Sequence, residues 1–327
     1  MTLLVLIIVI ALVFDFTNGF HDTANAIATS VSTRALSPRV AVLGAAFLNM
    51  AGAFFGQNVA TTVGKDIVQA ADVTQTLVLA ALIGAIAWNL ITWYFGIPSS
   101  SSHALIGGLV GAAIASVGLD AVKWGGVIDK VVIPMVGSPL IGFVVAFVIM
   151  SVLLLVVHRH PPAPVNRTFR TLQIFSAGYM ALSHGFNDAQ KTMGIITLAL
   201  FAAGKITTFH IPYWVILLAA GSMAAGTYSG GWRIIHTLGT KVIKLDPIHG
   251  FAAETSAATV IAVAGHFGFP ISTTHAITTA IMGAGATDRL SAVRWGMAGN
   301  ILTAWVLTLP AAGLIAALVY LPLHALI

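Results

Sequence analysis

Asn18-Gly19-Phe20-His21-Asp22-Thr23-Ala24-Asn25-Ala26 follows a solidly apolar opening stretch, and His184-Gly185-Phe186-Asn187-Asp188-Ala189-Gln190-Lys191-Thr192 repeats its pattern 166 residues later. Each copy sets an aspartate among polar neighbours inside an otherwise apolar run. A second motif is duplicated in the same order: Gly96-Ile97-Pro98-Ser99-Ser100-Ser101-Ser102-His103 is answered by Gly268-Phe269-Pro270-Ile271-Ser272-Thr273-Thr274-His275, at an offset of 172. Trp124-Gly125 and Trp295-Gly296, each fifteen residues before a proline (Pro139 and Pro310), form a third pair at an offset of 171. Three landmarks that keep their order and nearly their spacing mark a duplicated chain, not a chance likeness between apolar helices.

Of the 327 residues 58% are hydrophobic and 8% charged, whereas soluble domains carry about 25% charged residues. The apolar residues fall in runs of roughly 16 to 25, long enough to cross a ~30 Å hydrocarbon core as helices. The expected fold is an all-α, polytopic membrane bundle whose partner is the lipid bilayer. Segments are expected at about 2–33 (interrupted), 39–56, 76–95, 102–118 and 136–157, then 174–201 (interrupted), 213–230, 251–267, 273–287 and 296–320. The sequence therefore divides into a first repeat over 1–157, a polar linker over 158–170 and a second repeat over 171–327. The opening segment lacks a basic leader region and a small-residue cleavage site, so it reads as a membrane helix and not as a removable signal. Without cysteine there are no disulfides or thiolate metal sites. The net charge of +5 is scattered and forms no stripe for nucleic acid.

Five segments per repeat is an odd number, so the second copy is expected to run through the membrane in the opposite sense, the inverted-repeat plan of many secondary transporters. With the N-terminus outside, the inner loops hold ten basic residues (Arg34, Arg39, Arg159, Arg167, Arg170, Arg233, Lys241, Lys244, Arg289 and Arg294) against Lys65, Lys123, Lys130 and Lys205 outside. That bias follows the positive-inside rule and places both termini outside the cytoplasm, in a multi-pass protein of the cell membrane.

A carboxylate near mid-membrane costs several kcal/mol and persists where it faces a cavity or has partners. Asp22 and Asp188 are therefore site candidates, with Asn18, His21 and Asn187 beside them as ion-coupling groups and Asn25 and Lys191 as substrate groups. Gly19 and Gly185 are expected to allow local unwinding there, and Asp15 to mark the end of a first half-helix. Pro98 and Pro270 suit the first turn of a helix. The helix starts they announce would offer free N–H groups, the positive dipole end and the hydroxyls of Ser100, Ser101, Ser102, Ser272, Thr273 and Thr274 to an anion. Ordinary capping by serine and threonine is the alternative for any one of these hydroxyls. His103 and His275 read either as packed, hydrogen-bonded residues or as proton carriers. Glu254 reads as a coupling-ion ligand or as a partner for Lys191. No phosphate-binding loop of an ATPase, metalloprotease pattern or cysteine nucleophile appears, so neither ATP-driven transport nor an enzyme is expected.

At these motifs the chain resembles the inorganic phosphate transporter (PiT) family, with its duplicated Gly-x-Asn-Asp-x-x-Asn-Ala-type and Gly-x-Pro-x-Ser/Thr-Thr-His-type motifs. The resemblance implies a secondary transporter importing inorganic phosphate with a coupling cation and no cofactor, built as an inverted repeat and often a homodimer. It puts Asp22, Asn25, Asp188 and the Pro-Ser/Thr-His stretches on the family's substrate and ion motifs. His21 stands where sodium-coupled members have asparagine, and Gln190-Lys191 replaces a small residue and asparagine. Those departures look more like bacterial members that use protons, often carrying phosphate with a divalent metal. Sodium coupling, a sulfate permease of the same family and an anion channel are the rival readings.

Overall fold

The computed structural model describes residues 1–326, and among these the one β feature is an isolated antiparallel bridge between Val68 and Val122. In the first half α1 (Thr2–Ser32), α2 (Pro38–Gly52), α3 (Asn58–Lys65), α4 (Gln75–Phe95) and α5 (Ser101–Ser116) are followed by α6 (Trp124–Val127), which runs through a π-helical turn into α7 (Ile133–Val157). The second half repeats these steps as α8 (Pro162–Ala202), α9 (Tyr213–Ser229), α10 (Trp232–His236), α11 (Pro247–His266), α12 (Thr273–Ala286) and α13 (Trp295–Leu326). Small details recur with the elements. The Trp124 indole donates to the Leu119 carbonyl at 3.1 Å and the Trp295 indole to that of Leu290 at 2.8 Å. Lys123 N–H meets Ile67 O at 3.0 Å as Arg294 N–H meets Val242 O at 3.1 Å.

Among the described residues four helical stretches are long and apolar enough to cross a membrane: Thr2–Ser32, Gln75–Phe95, Trp124–Val157 and Trp295–Leu326. α5 and α12, at 16 and 14 residues, fall short of that length. At 1.5 Å per residue they reach only about 24 and 21 Å.

Two apolar cores lie on either side of a polar belt. α1 contributes Leu4, Ile7, Ala11 and Phe14 to the first core, then Ala24, Ile27 and Ala28 to the second. α8 runs the other way, from Met180 and Ala181 in the second to Met193 and Ile196 in the first. α5 fills the first core with Leu105 and Leu109, α12 the second with Ile277 and Ile281. Both cores are rich in alanine. In lipid, where burying an apolar side chain against a neighbour gains little over lipid contact, helices associate by the close approach that small residues allow.

Several expectations are corrected. α1 and α8 are continuous helices, not interrupted ones, and Asp15 lies buried within α1. Gly19 and Gly185 serve close crossings instead of unwinding. A Cβ on Gly19 would stand 2.5 Å from the Met223 carbonyl oxygen of α9, and one on Gly185 would collide with the Asn49 carbonyl of α2. Gly226 against Phe16 and Gly52 against Leu182 complete the same crossing in each half. The run expected over 39–56 ends as a helix at Gly52, and short helices outside the expected spans follow in both halves, α3 after α2 and α10 after α9. Most of the polar 158–170 stretch is helical, because Pro162 opens α8 where its missing N–H has no helical partner to lose.

Candidate functional site

Two helical hairpins carry the chain to the centre. After α4, Gly96 (φ 65°) takes the left-handed conformation, and after α11 Gly268 (φ 74°) does the same. Ile97 N–H donates to Thr92 O at 2.9 Å and Gly96 N–H to Trp93 O at 3.0 Å; Phe269 to Ala264 at 2.8 Å and Gly268 to Gly265 at 3.1 Å repeat the pair. Paired bonds of this kind close a helix and turn the chain, and glycine adopts the required φ without a Cβ clash. Pro98 and Pro270 lie two residues ahead of the N-caps, not in the first helical turn as expected, since a proline favours an extended residue before it and the chain is still turning there. Ser100 and Ser272 are those caps: their hydroxyls accept from His103 N–H and His275 N–H, each at 3.1 Å. These two hydroxyls therefore do the capping work, which leaves Ser101, Ser102, Thr273 and Thr274 as the non-capping hydroxyls of the two first turns.

The hairpin tips meet. Ser102 Oγ donates to the Ile271 carbonyl at 3.0 Å, and the rings of His103 and His275 lie edge to face with centroids 4.9 Å apart. His275 also stacks on Trp305 at 3.8 Å, and the Trp305 indole donates to the Pro98 carbonyl at 3.1 Å. Both histidines are thus packed aromatic residues, and none of their ring nitrogens makes a hydrogen bond within the described residues. First-turn N–H groups of a helix have no intrahelical acceptor, so two positive helix ends converge on one place.

α1 and α8 bring their aspartates to that place, both buried, at 2% and 0% exposure. Thr274 Oγ1 lies 3.4 Å from Asp22 Oδ1 and Thr273 Oγ1 lies 3.5 Å from Asp188 Oδ2. Asn25 Nδ2 donates to Thr273 and Thr274 at 3.1 and 3.0 Å. Lys191 Nζ is 2.5 Å from Asp188 Oδ1, also donates to Ser102, and lies 3.4 Å from the Ile271 carbonyl. His21 Nδ1 sits 2.6 Å from Asp22 Oδ1, and its Nε2 faces Thr92 and Ser99 at 3.2 and 3.4 Å. Asn187 Nδ2 donates to the Phe269 carbonyl at 3.2 Å, and the buried Asn18 amide and Ser101 hydroxyl make no hydrogen bond within the described residues. Gln190 does a structural job, its Oε1 accepting from Val59 N–H at 2.9 Å at the start of α3.

Glu254 belongs elsewhere. It takes hydrogen bonds from Thr29 at 2.5 Å, Gln173 at 3.0 Å and Ser176 at 2.5 Å. The alternative that it pairs with Lys191 is corrected by Asp188, which holds that ammonium three residues away on the same helix.

His184 was not among the expected site residues. Its Nε2 lies 3.4 Å from Asp188 Oδ2 and its Nδ1 meets Asn49 Oδ1 at 3.1 Å. One ligand atom each from Asp22, His184 and Asp188 lies within 4.8 Å of the other two, close enough for a metal ion to be shared among them. The sequence did carry a signal for it: His184 is the counterpart of Asn18 and precedes Asp188 by four, one turn away on the same helix face. Thr92 and Asn49 come from α4 and α2 and had no such signal, whereas Ser99, in the turn before α5, belongs to the duplicated proline–serine motif.

Comparison with known proteins agrees with this architecture. The pattern described as "Phosphate transporter family" matches the chain twice, over residues 18–165 and 157–316. A "Probable low-affinity inorganic phosphate transporter" of Rhizobium meliloti is 53% identical over 320 residues, 97% of this chain and 96% of the relative. Proteins of the same name from Mycobacterium leprae (50% identical, 98% of this chain and 78% of the relative) and Bacillus subtilis (47%, covering 98% and 97%) are similar to it as well. A solved structure named "The sodium-dependent phosphate transporter" superposes with a TM-score of 0.92 at 27% identity, covering all of both chains. Duplicated motifs, duplicated helices and two family matches in tandem lead to one conclusion: this chain is a member of the phosphate transporter family, a family of membrane transporters and not of enzymes.

Proposed function

We propose that the protein is a secondary active transporter that imports inorganic phosphate by symport with a cation, the proton being the coupling ion. The observation that carries this reading is the meeting of two helix N-termini, with their first-turn hydroxyls, on two buried aspartates. The helix ends suit an anion, whereas the carboxylates repel it strongly at low dielectric. Lys191 offsets one negative charge. Bringing a cation or a proton to the carboxylates offsets the rest, so anion and cation each strengthen the other's binding, which is the thermodynamic content of symport. Asp22, Asn25, Asp188, Lys191 and the hydroxyls of Ser101, Ser102, Thr273 and Thr274 are the substrate groups of this reading. Asn18, His21, Asn187 and the separate Glu254 cage serve the cation. A divalent metal carried as cargo with phosphate would find its donors in Asp22, His184 and Asp188, a carboxylate and imidazole set suited to such ions.

The opposite directions of α1 and α8 through the two cores, and of α5 and α12 away from the hairpin tips, support an inverted repeat. The excess of basic residues in alternate loops supports termini outside the cytoplasm. Sodium coupling is the second reading, favoured by the name and the matching fold of the solved neighbour. His21 and Lys191 favour the proton, since they place ionisable groups against both aspartates. Hydrogen phosphate keeps a proton that can be donated to an aspartate, and sulfate does not, so a site walled by carboxylates discriminates against sulfate. The test is equilibrium binding of labelled phosphate to the purified protein with unlabelled sulfate as competitor. The reading predicts binding that excess sulfate leaves in place; displacement by equimolar sulfate would contradict it.

A further inference from the structure

We propose that Lys191 is a built-in substitute for a coupling cation: its ammonium fills the cation place of one half of the site, so phosphate binding draws one cation fewer than two equivalent aspartate half-sites would require. This rests on the reading of Asp22 and Asp188 as the groups that draw the cation.

The internal duplication carries the argument. Asn25 and Lys191 are counterparts, each three residues after its aspartate, and each reaches across to the opposite hairpin. Asn25 Nδ2 donates to Thr273 and Thr274, and Lys191 Nζ to Ser102, the counterpart of Thr274. The two side chains therefore hold equivalent places, but one is a neutral amide and the other a full positive charge. The shell around that charge is made of oxygen alone: the Asp188 carboxylate at 2.5 Å, the Ser102 hydroxyl and the Ile271 carbonyl at 3.4 Å, supplied by α8, α5 and the loop before α12. A carboxylate, a hydroxyl and a carbonyl are the ligands that a small hard cation takes. In the first half, Asp22 faces His21 and Thr274, and its counterpart position to Lys191 supplies no charge. Lys191 is 1% exposed and tethered, so it compensates the anion in every cycle without being carried across. It differs in this from a lysine whose only role is to contact phosphate, since removing that would weaken phosphate binding at any cation concentration.

The experiment is equilibrium binding of labelled phosphate to purified protein over a sodium chloride series, at fixed pH and with ionic strength held by choline chloride. By linkage, the slope of log affinity against log sodium counts the sodium ions drawn in with phosphate; with sodium as the probe cation it should be near zero in the proton-coupled wild type and rise by about one in Lys191→Asn, whose vacated oxygen shell can take it. A tenfold rise in sodium then tightens binding about tenfold more in the variant than in the wild type. Lys191→Arg, which keeps the charge, should hold the wild-type slope. Methylammonium should restore phosphate binding in Lys191→Ala, and sodium should raise the melting temperature of Lys191→Asn more than that of wild type, a readout independent of phosphate. Equal slopes in wild type and Lys191→Asn, or a folded variant whose loss neither sodium nor methylammonium repairs, would overturn the assignment. Wild-type protein that binds no phosphate at all would instead overturn the reading on which it rests.

Discussion

Replacing Asp22 by asparagine removes a charge while keeping the shape of the side chain. Its two neighbours, His21 Nδ1 at 2.6 Å and Thr274 Oγ1 at 3.4 Å from Oδ1, can both still donate to an amide oxygen. The fold should therefore hold, and what is lost is the attraction for a cation. Two unit charges about 4 Å apart interact by about 4 kcal/mol at an effective dielectric of about 20. Since about 1.4 kcal/mol corresponds to tenfold in a binding constant, the change weakens the cation by about a thousandfold. Burial keeps salt from screening the effect away. The assay is uptake of labelled phosphate by reconstituted protein as a function of coupling-cation concentration, with gel filtration and thermal unfolding as controls for folding. The expected result is a monodisperse variant of near wild-type stability whose coupled uptake is lost across the accessible cation range. A shift of less than about tenfold in the half-saturating cation concentration would refute the role given to this carboxylate.

Removing one member of the buried Asp188–Lys191 pair is worse than removing both. Asp188→Asn should destabilise by about 3–5 kcal/mol because it strands the ammonium, and Asp188→Asn with Lys191→Asn should recover part of that in an unfolding cycle. Strict additivity would contradict the pair. Ser101→Ala with Thr273→Ala should raise the half-saturating phosphate concentration at least about tenfold, since a hydrogen bond to a charged group is worth about 1.5–3 kcal/mol. An unchanged value would place the anion elsewhere. Gly185→Leu should cost about 1–3 kcal/mol or more through overpacking against α2, whereas Gly178→Ala, whose nearest neighbour is the Leu48 side chain at 3.4 Å, should be tolerated. Equal melting temperatures for the two would refute the close crossing.

The duplication, the helical hairpins and the place of both aspartates were legible in the sequence because each depends on residues close together in the chain. Gly96 and Gly268 stop α4 and α11, and Ser100 and Ser272 cap α5 and α12, all local signals, whereas Pro98 and Pro270 lie in the turns ahead of the caps and not in the first helical turns. Gly19 and Gly185 were misread because a glycine in an apolar helix carries two meanings, a break or a close approach. Only the backbone of α9 or α2 passing by decides between them. The break after α2 was hidden for a related reason: Phe54 and Phe55 continue the apolar run across it. The cage around Glu254 draws on Thr29, Gln173 and Ser176, which lie on other helices far away in sequence. No periodicity reports a pairing of that range. His184 falls between these cases, since its spacing to Asp188 was visible but its reach to Asn49 was not.

The measurement that tests the account most directly is uptake of labelled phosphate into proteoliposomes containing the purified protein, with proton and sodium gradients imposed separately. The account predicts accumulation driven by an inward proton gradient, saturating with phosphate and abolished in Asp22→Asn. Flux that equilibrates phosphate without a gradient and does not saturate would contradict it and identify a channel instead of a symporter.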